Sequence, residues 1–377
     1  MIITKIELFS TRVPTTKAYV TGDRKMVAEQ FYVQVHTDDG LVGLGESEAL
    51  TKEGANTAMS LLAISEVLGP KLMGRDPLKI TELNALMDQE LAANNPAKAA
   101  LDIAFYDLLG KKAGLPVYAL LGGARRTDPL SLWPIGCDSP DEAADIARRA
   151  KEEGYRMLGI KVGGAGSVQD DIDRVRAVRE AVGDEVSFTT DANQAWDEGR
   201  AVKFARAVEK YRPSMLEQPL PAGDVAGMAR VRARIGIPLS ADEGVYSIDT
   251  AKQYIEHRAA DLFSIKPSKD GGITKAVRLI QFAGHYGVPC FMNTMLEEGV
   301  AQAATLHVGL SSGNYLAPMD MVIGHCYSSP MRLVEDVTDY HLQYSRGKII
   351  VNGKPGLGVT FREEILQKYR ENYAVLS

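Results

Sequence analysis

The sequence has few cysteines and no cluster of basic residues. Its three cysteines (Cys137, Cys290, Cys326) are odd in number, far apart and in no metal-like pair. They fit a reducing compartment better than a disulfide framework. No run or stripe of Lys and Arg occurs. With a formal net charge of −6 and an isoelectric point near 5.7, nucleic acid is not an expected partner. No window approaches the roughly 18 apolar residues of a membrane span, so no membrane partner is expected either. The opening stretch, MIITKIELFSTRVP, alternates like a strand and lacks the apolar centre of a signal peptide. A cytoplasmic location is the expectation. No GxGxxG follows a first strand, which leaves a dinucleotide-binding fold without support.

What is present is an ordinary globular composition, 45% hydrophobic and 24% charged over 377 residues. That length holds either a large domain with a smaller one or a single elaborated barrel. The first part predicts antiparallel strands: MIITKIELFSTRV and QFYVQVHTDDGLVGLGES alternate apolar and polar, with TDDG (Thr37–Gly40) as hairpin turn. Helical spacing of Ala and Leu follows from about Glu53 to Ala113. Together these make an α+β module.

From about Leu130 short apolar strands alternate with helices. The strands are LSLWPIG, MLGIKVG, VSFTTDAN, SMLEQPL, PLSADEG, LFSIKPS, VPCFMNTM and, last, YLAPMDM. Eight strand candidates with seven helices between them favour a closed α/β barrel over an open sheet. The tail from about Lys348 (KIIVNGKPGLGVTF) reads as strand, Gly/Pro turn and return to the first module.

In such barrels the chemistry gathers where strands end. The tips carry, in order, Lys161, then Asp191 and Asn193, Glu217, Asp242 with Glu243, Lys266 and Lys269, Asn293 and Thr294, and finally Asp320. Asp191 to Glu217 is 26 positions and Glu217 to Asp242 is 25, one strand–helix repeat each. Adjacent strands lie about 4.8 Å apart, so three carboxylates can converge on one point. A hard divalent cation such as Mg²⁺ relieves their repulsion, and no His or Cys joins them to suggest zinc. Each residue also has a plainer reading. Asp191 reads as a turn residue, Glu217 as a solvated loop carboxylate, Asp242 as a helix cap, and the two lysines as snorkelling chains. Five such residues at equivalent tips of consecutive units outweigh those separate readings.

The stretch ALDIAFYDLLGKKAGLPVYALLGG (Ala100–Gly123), followed in order by GIKVGG, TTDANQAW, LEQPL, LSADEG, SIKPSKDGG and NTMLEEG, resembles the enolase superfamily. It is most similar to the branch of muconate lactonising enzymes, dipeptide epimerases and N-acylamino-acid racemases. The resemblance implies a modified TIM barrel, (β/α)7β, over residues 126–347. It implies an N-terminal α+β capping domain over residues 1–125, joined by the tail 348–377. Asp191, Glu217 and Asp242 would hold Mg²⁺, with Mn²⁺ able to substitute. Lys161 and Lys266 would face each other across the substrate α-carbon as acid and base. Asn193, Glu243, Lys269, Asn293, Glu297 and Asp320 are supporting or substrate-contact candidates. No His stands on the seventh strand, unlike the mandelate racemase-like branch.

The implied chemistry removes a weakly acidic α-proton beside a carboxylate, and the cation's charge stabilises the enediolate. The base must be neutral, so a lysine that titrates near 10.4 when free has to be tuned toward roughly 7–8. One departure bears on this: the branch's Lys-x-Lys is here Gly159-Ile160-Lys161. Lacking the first cation, Lys161 is expected to be more basic, leaving most abstraction to Lys266. The outcome is a racemase, epimerase or cycloisomerase acting on a small carboxylate. The alternative is a dehydratase of a small hydroxy acid or hydroxyproline-type substrate; less favoured is a Schiff-base aldolase using Lys266. Substrate recognition is expected in Thr15–Met26 and Glu46–Thr51. At the eighth strand Pro318-Met319-Asp320 keeps at most half of the Asp-x-Asp of dipeptide epimerases. The resemblance also implies a homo-oligomer, often an octamer.

Overall fold

A computed structural model of the chain describes residues 1–15, 27–48, 56–125, 129–312, 322–323, 333–340 and 344–377. Three long antiparallel strands open it: β1 (Ile3–Pro14), β2 (Val27–Thr37) and β3 (Val42–Glu48). The turn between β2 and β3 is the expected one, with Gly40 at φ +83°. The helical segment that follows comprises α1 (Thr57–Leu62), α2 (Gly69–Leu72), α3 (Ile80–Glu90), α4 (Asn95–Ala113) and the short α5 (Val117–Leu120). The long α4 is buried on nearly every side. It lies so close under β3 that a Cβ on Gly43 would stand 2.3 Å from the Ala104 carbonyl oxygen, and one on Gly45 1.8 Å from that of Ala100. The glycines of GLVGLGES therefore set the distance between sheet and helix.

The barrel is built from β4 (Leu130–Ser131), β5 (Trp133–Ile135), α6 (Pro140–Glu152), β6 (Met157–Lys161), α7 (Val168–Val182), β7 (Ser187–Asp191), α8 (Glu198–Val208), β8 (Leu216–Glu217) and α9 (Val225–Arg232). It continues through β9 (Leu239–Ala241), α10 (Ile248–Glu256), β10 (Leu262–Ile265), α11 (Pro267–Asp270), α12 (Ile273–His285), β11 (Cys290–Met292), α13 (Gly299–Ser311) and β12 (Val322–Ile323). From β5 to β12 neighbouring strands pair in parallel. β4 and β5 are one stretch interrupted at Leu132: β4 pairs with β12 and β5 with β6. Counting them as one, the described residues form a closed ring of eight strands. The last strand was expected over 315–321, which lies outside the described residues. Side chains cap α6 to α10 at their starts, with capping boxes at Ser139, Ser167 and Ser247 and single caps at Asp197 and Asp224. Among the described residues no helix is long and apolar enough to cross a membrane.

The tail first stays on the barrel. β13 (Tyr344–Ser345) and β14 (Lys348–Ile349) form a small hairpin whose second strand pairs with β4. Then α14 (Glu363–Tyr369) leads into β15 (Arg370–Leu376), which adds to the outer edge of β1. The cap is also fastened through buried polar groups. The Asp102 carboxylate accepts from the Thr274 backbone N–H (3.0 Å) and hydroxyl (2.7 Å) at the start of α12. Glu46 accepts from the N–H groups of Glu298 (2.5 Å) and Ala301 (2.9 Å) at the start of α13. Both carboxylates meet the exposed donors of a helix N-terminus.

Candidate active site

Strand register decides which side chains meet. Lys161 is the direct partner of Asp191, and Asp191 of Glu217. Glu217 pairs with Ser240, so Asp242, two positions further, points to the same side. Leu262 pairs with Ser240; Lys266 keeps that parity. β6 and β10 stand four strands apart in a ring of eight, so their lysines approach the barrel mouth from opposite sides.

Asp191 does serve as a turn residue, its Oδ1 accepting from the Asn193 N–H at 2.9 Å, and Asp242 is no helix cap, since Ser247 caps α10. The solvated and snorkelling readings of the others fail on burial. Relative exposure is 8% for Lys161, 7% for Asp191, 2% for Glu217, 0% for Asp242 and 5% for Lys266. None is a solvated loop or snorkelling residue. The Lys161 ammonium donates to the Asp191 carboxylate and to Asn193 Oδ1 (2.8 Å). That of Lys266 donates to Asp242 Oδ2 at 2.5 Å. Asn293 Nδ2 donates to Glu217 Oε1 (2.8 Å) and to the Ser264 hydroxyl (3.0 Å). Asn193 Nδ2 donates to Glu243 Oε1 at 3.2 Å, linking Lys161 to a second buried acid. Lys269 is fully enclosed, donating to Asp242 Oδ1 (3.0 Å) and to the carbonyls of Asp242 (2.7 Å), Val245 (2.7 Å) and Ser264 (2.9 Å).

The electrostatics are uneven around this ring. Burial first, and then the charges of Asp191 and Asp242, push the Glu217 carboxyl well above the usual range. Burial and the charges of Asp242 and Asp191 raise Glu243 to about 7. Burial would raise Asp242 too, but Lys266 and Lys269 outweigh it and hold that carboxyl well below its ordinary value. Positive charge is thus concentrated on Asp242 and is short at Glu217.

Among the described residues, no three acidic, His or Cys side chains are grouped as a ready-made metal cage. The two ammonium groups lie on Asp191 and Asp242 instead. The donor set still suits a hard divalent cation: three carboxylates at neighbouring tips, the middle one short of positive charge. Beneath the ring a cavity of about 10 Å³ lies against Leu132, Gly159, Thr189 and Phe291. A Cβ on Gly159 would stand 2.6 Å from Leu132 Cδ2, so Leu132 occupies the space into which a side chain at 159 would grow.

Other expected residues are placed differently. Glu297 is fully buried and its carboxylate turns back to accept from the Met295 N–H (2.5 Å). Glu46 and Glu48, within the expected recognition segment, are fully buried and hold barrel backbone; Glu48 accepts from the Leu296 N–H at 2.5 Å. Residues 16–26, 49–55 and Asp320 lie outside the described residues. Gln218 was not singled out from the sequence. Its Oε1 accepts from the N–H groups of Asp242 (2.9 Å) and Gly244 (3.2 Å), and its φ is +29°. With Asn193 (φ +42°) and Gln194 (φ +67°) it places unusual backbone at the tips of β7 and β8, where functional sites concentrate it. A polar residue between Glu217 and Pro219 at an otherwise apolar tip was the available signal.

Comparison with known proteins identifies the family. Residues 5–122 match the "Mandelate racemase / muconate lactonizing enzyme, N-terminal domain" family and residues 141–365 the "Enolase C-terminal domain-like" family. The chain is 32% identical to an N-succinyl-L-Arg/Lys racemase of Bacillus cereus, over 98% of each chain. It is 33% identical to an L-Ala-D/L-Glu epimerase of Bacillus subtilis, over 95% of this chain and 97% of that one. Among solved structures, the Bacillus cereus N-succinyl Arg/Lys racemase aligns over 100% of both chains with a TM-score of 0.94 and 31% identity. A dipeptide epimerase of Cytophaga hutchinsonii, complexed with Mg and the dipeptide D-Ala-L-Val, aligns over 100% of both with a TM-score of 0.92 and 29% identity.

Proposed function

The chain belongs to the mandelate racemase/muconate lactonizing enzyme family of the enolase superfamily and is an isomerase, and from that premise we propose that it inverts the α-carbon of an N-acylated amino acid or dipeptide by a two-lysine proton transfer. The observation that carries this reading is the placement of Lys161 and Lys266 on opposite sides of one barrel mouth, with three carboxylates on the strands between them. The relatives named as racemase and epimerases supply the substrate class.

Asp191, Glu217 and Asp242 are the residues that would hold Mg²⁺. When bound, the cation supplies positive charge against the negative charge that builds on the substrate carboxylate as the α-proton leaves. The protein's own groups do the rest. One lysine takes the proton on to its Nζ from one face, and the other delivers a proton to the opposite face. Asn193 fixes the Lys161 ammonium, and Lys269 anchors Asp242 so that its second oxygen points toward Lys266. The apolar layer of Leu132 and Phe291 closes the barrel beneath them and keeps bulk water from below. A homo-oligomeric assembly belongs to the same proposal.

The experiment is deuterium incorporation from D₂O, with Mg²⁺, into N-succinyl-arginine, N-succinyl-lysine, dipeptides and a muconolactone, read by NMR and chiral chromatography. Exchange with inversion in an acylated amino acid or dipeptide is the expected result. Turnover of the muconolactone alone would replace the proposal with a cycloisomerase. No exchange in any of them would remove it.

A further inference from the structure

We infer that the buried pair Asp171–Arg174, on the first turns of α7, positions Lys161 and so governs proton transfer on one face of the substrate only. The inference rests on the two-lysine reading above. Lys161 ends β6 and leads straight into VGGAGS, residues 162–167. Gly163 (φ +76°) has no room for a side chain, since a Cβ there would stand 2.6 Å from that of Ala195. On the sheet side the exit is held by the Val162 N–H, which donates to the Asp191 carbonyl at 2.9 Å, and by the close approach of Ala195.

The second hold on this backbone comes from α7. Asp171 Oδ2 accepts from the Gly163 N–H at 3.0 Å, while Asp171 Oδ1 accepts from Arg174 Nη1 at 2.6 Å. The same Arg174 nitrogen donates to the Lys161 carbonyl at 3.3 Å, and its Nε donates to the Asp138 carbonyl at 2.6 Å. The pair therefore grips the chain at Lys161 and two residues beyond it, and ties both to the loop after β5. Both side chains are almost entirely buried, Asp171 at 3% and Arg174 at 5% exposure. A buried ion pair is weak evidence for stability in itself, but this one spends its hydrogen bonds on the backbone that carries a reacting group.

Lys266 is held by separate means. Its N–H donates to Asp270 Oδ2 at 3.0 Å, and Lys269 anchors its partner Asp242. Nothing in that set touches Asp171 or Arg174, so disturbing the α7 pair should affect one lysine and spare the other. A merely structural role would slow both faces together.

The test compares Arg174→Gln with the unmodified enzyme on N-succinyl-L-arginine and N-succinyl-D-arginine, in D₂O with Mg²⁺. The neutral double variant Asp171→Asn/Arg174→Gln serves if the single change does not fold. A misplacement of about 1 Å costs on the order of 100-fold. Exchange from one enantiomer is expected to fall by about 10–100-fold, while the other stays within about threefold and only its inversion slows. Equal losses on both enantiomers, or none, would overturn the inference. A crystal structure of the double variant supplies a second readout. Lys161 Nζ should leave Asp191 and Asn193 while Lys266 stays on Asp242; an unmoved Lys161 would also overturn it. No exchange by the unmodified enzyme on either probe would count against the proposed function, and the crystal structure would still decide the clamp.

Discussion

Lys266 and Lys161 have similar surroundings in outline, each buried and each resting on a carboxylate, yet their floors differ. Lys161 stands two residues above Gly159, where Leu132 fills the layer beneath. The Lys-x-Lys departure is therefore not an empty slot but an apolar one, and restoring a side chain there meets Leu132. Gly159→Ala should cost about 1 kcal/mol in chemical denaturation, and that added cost should disappear in a Leu132→Ala background, which is itself less stable by about 2–5 kcal/mol. For the chemistry, Lys266→Ala should lower α-proton exchange by about 10²–10⁴-fold. If Lys161→Ala abolished exchange while Lys266→Ala kept it, the roles assigned from the sequence would be reversed. The five central residues were legible because strand repeats place one chemistry-bearing residue per tip. Gln218, Asp171 and Arg174 were not, since their work is hydrogen bonding to backbone that only the fold brings near.

At the level of elements, the alternation of strands and helices was readable because α6 to α10 each start on a capping Ser or Asp and turn charged residues outward, whereas α11, α12 and the buried α13 have no side-chain cap. The central position of α4 was not. Its Ala/Leu pattern marks a helix but leaves no distinct polar side, as expected of an element covered all round. What reveals its place is the pair of glycines on β3. Gly45→Ala would bring a methyl group against the Ala100 carbonyl, which is backbone and cannot rotate away. A loss of about 3 kcal/mol is expected, measured by urea unfolding. The same change on the open turn at Gly183, where nothing lies within 4 Å of a built Cβ, should cost only the strain of its φ of +67°.

Across the whole molecule, the cap and barrel meet through acids that are buried together. Glu298 receives hydrogen bonds from Tyr32 and from Thr11 (3.1 Å) in the cap and from the Val337 N–H (3.0 Å). Burial first, and the charge of Asp336 second, push it up to about 8 from 4.5. An acid with a higher pKa in the folded chain keeps its proton there while the unfolded chain gives it up. The stability this contributes is whole below about pH 4.5 and is lost progressively as pH rises toward 8. Urea unfolding at a series of pH values should show that decline, and Glu298→Gln should flatten it by a few kcal/mol. An unchanged slope in the variant would assign the decline elsewhere. The joining of the modules was only half visible in the sequence: the tail's return was expected, but not the acids on β3 and α4 that hold the starts of barrel helices.

β15 pairs with β1 so that Leu376 lies opposite Ile6, which sets the two ends of the sequence side by side. The order in which the segments are strung is then separable from the shape they make. A circular permutant, with residues 377 and 1 bridged by a linker of a few residues and new ends cut at the exposed turn of Gly183 and Asp184, should refold and keep its exchange activity. Such a molecule would hold Asp191, Glu217, Asp242 and Lys266 in its first half and Lys161 in its last, with the barrel mouth unchanged.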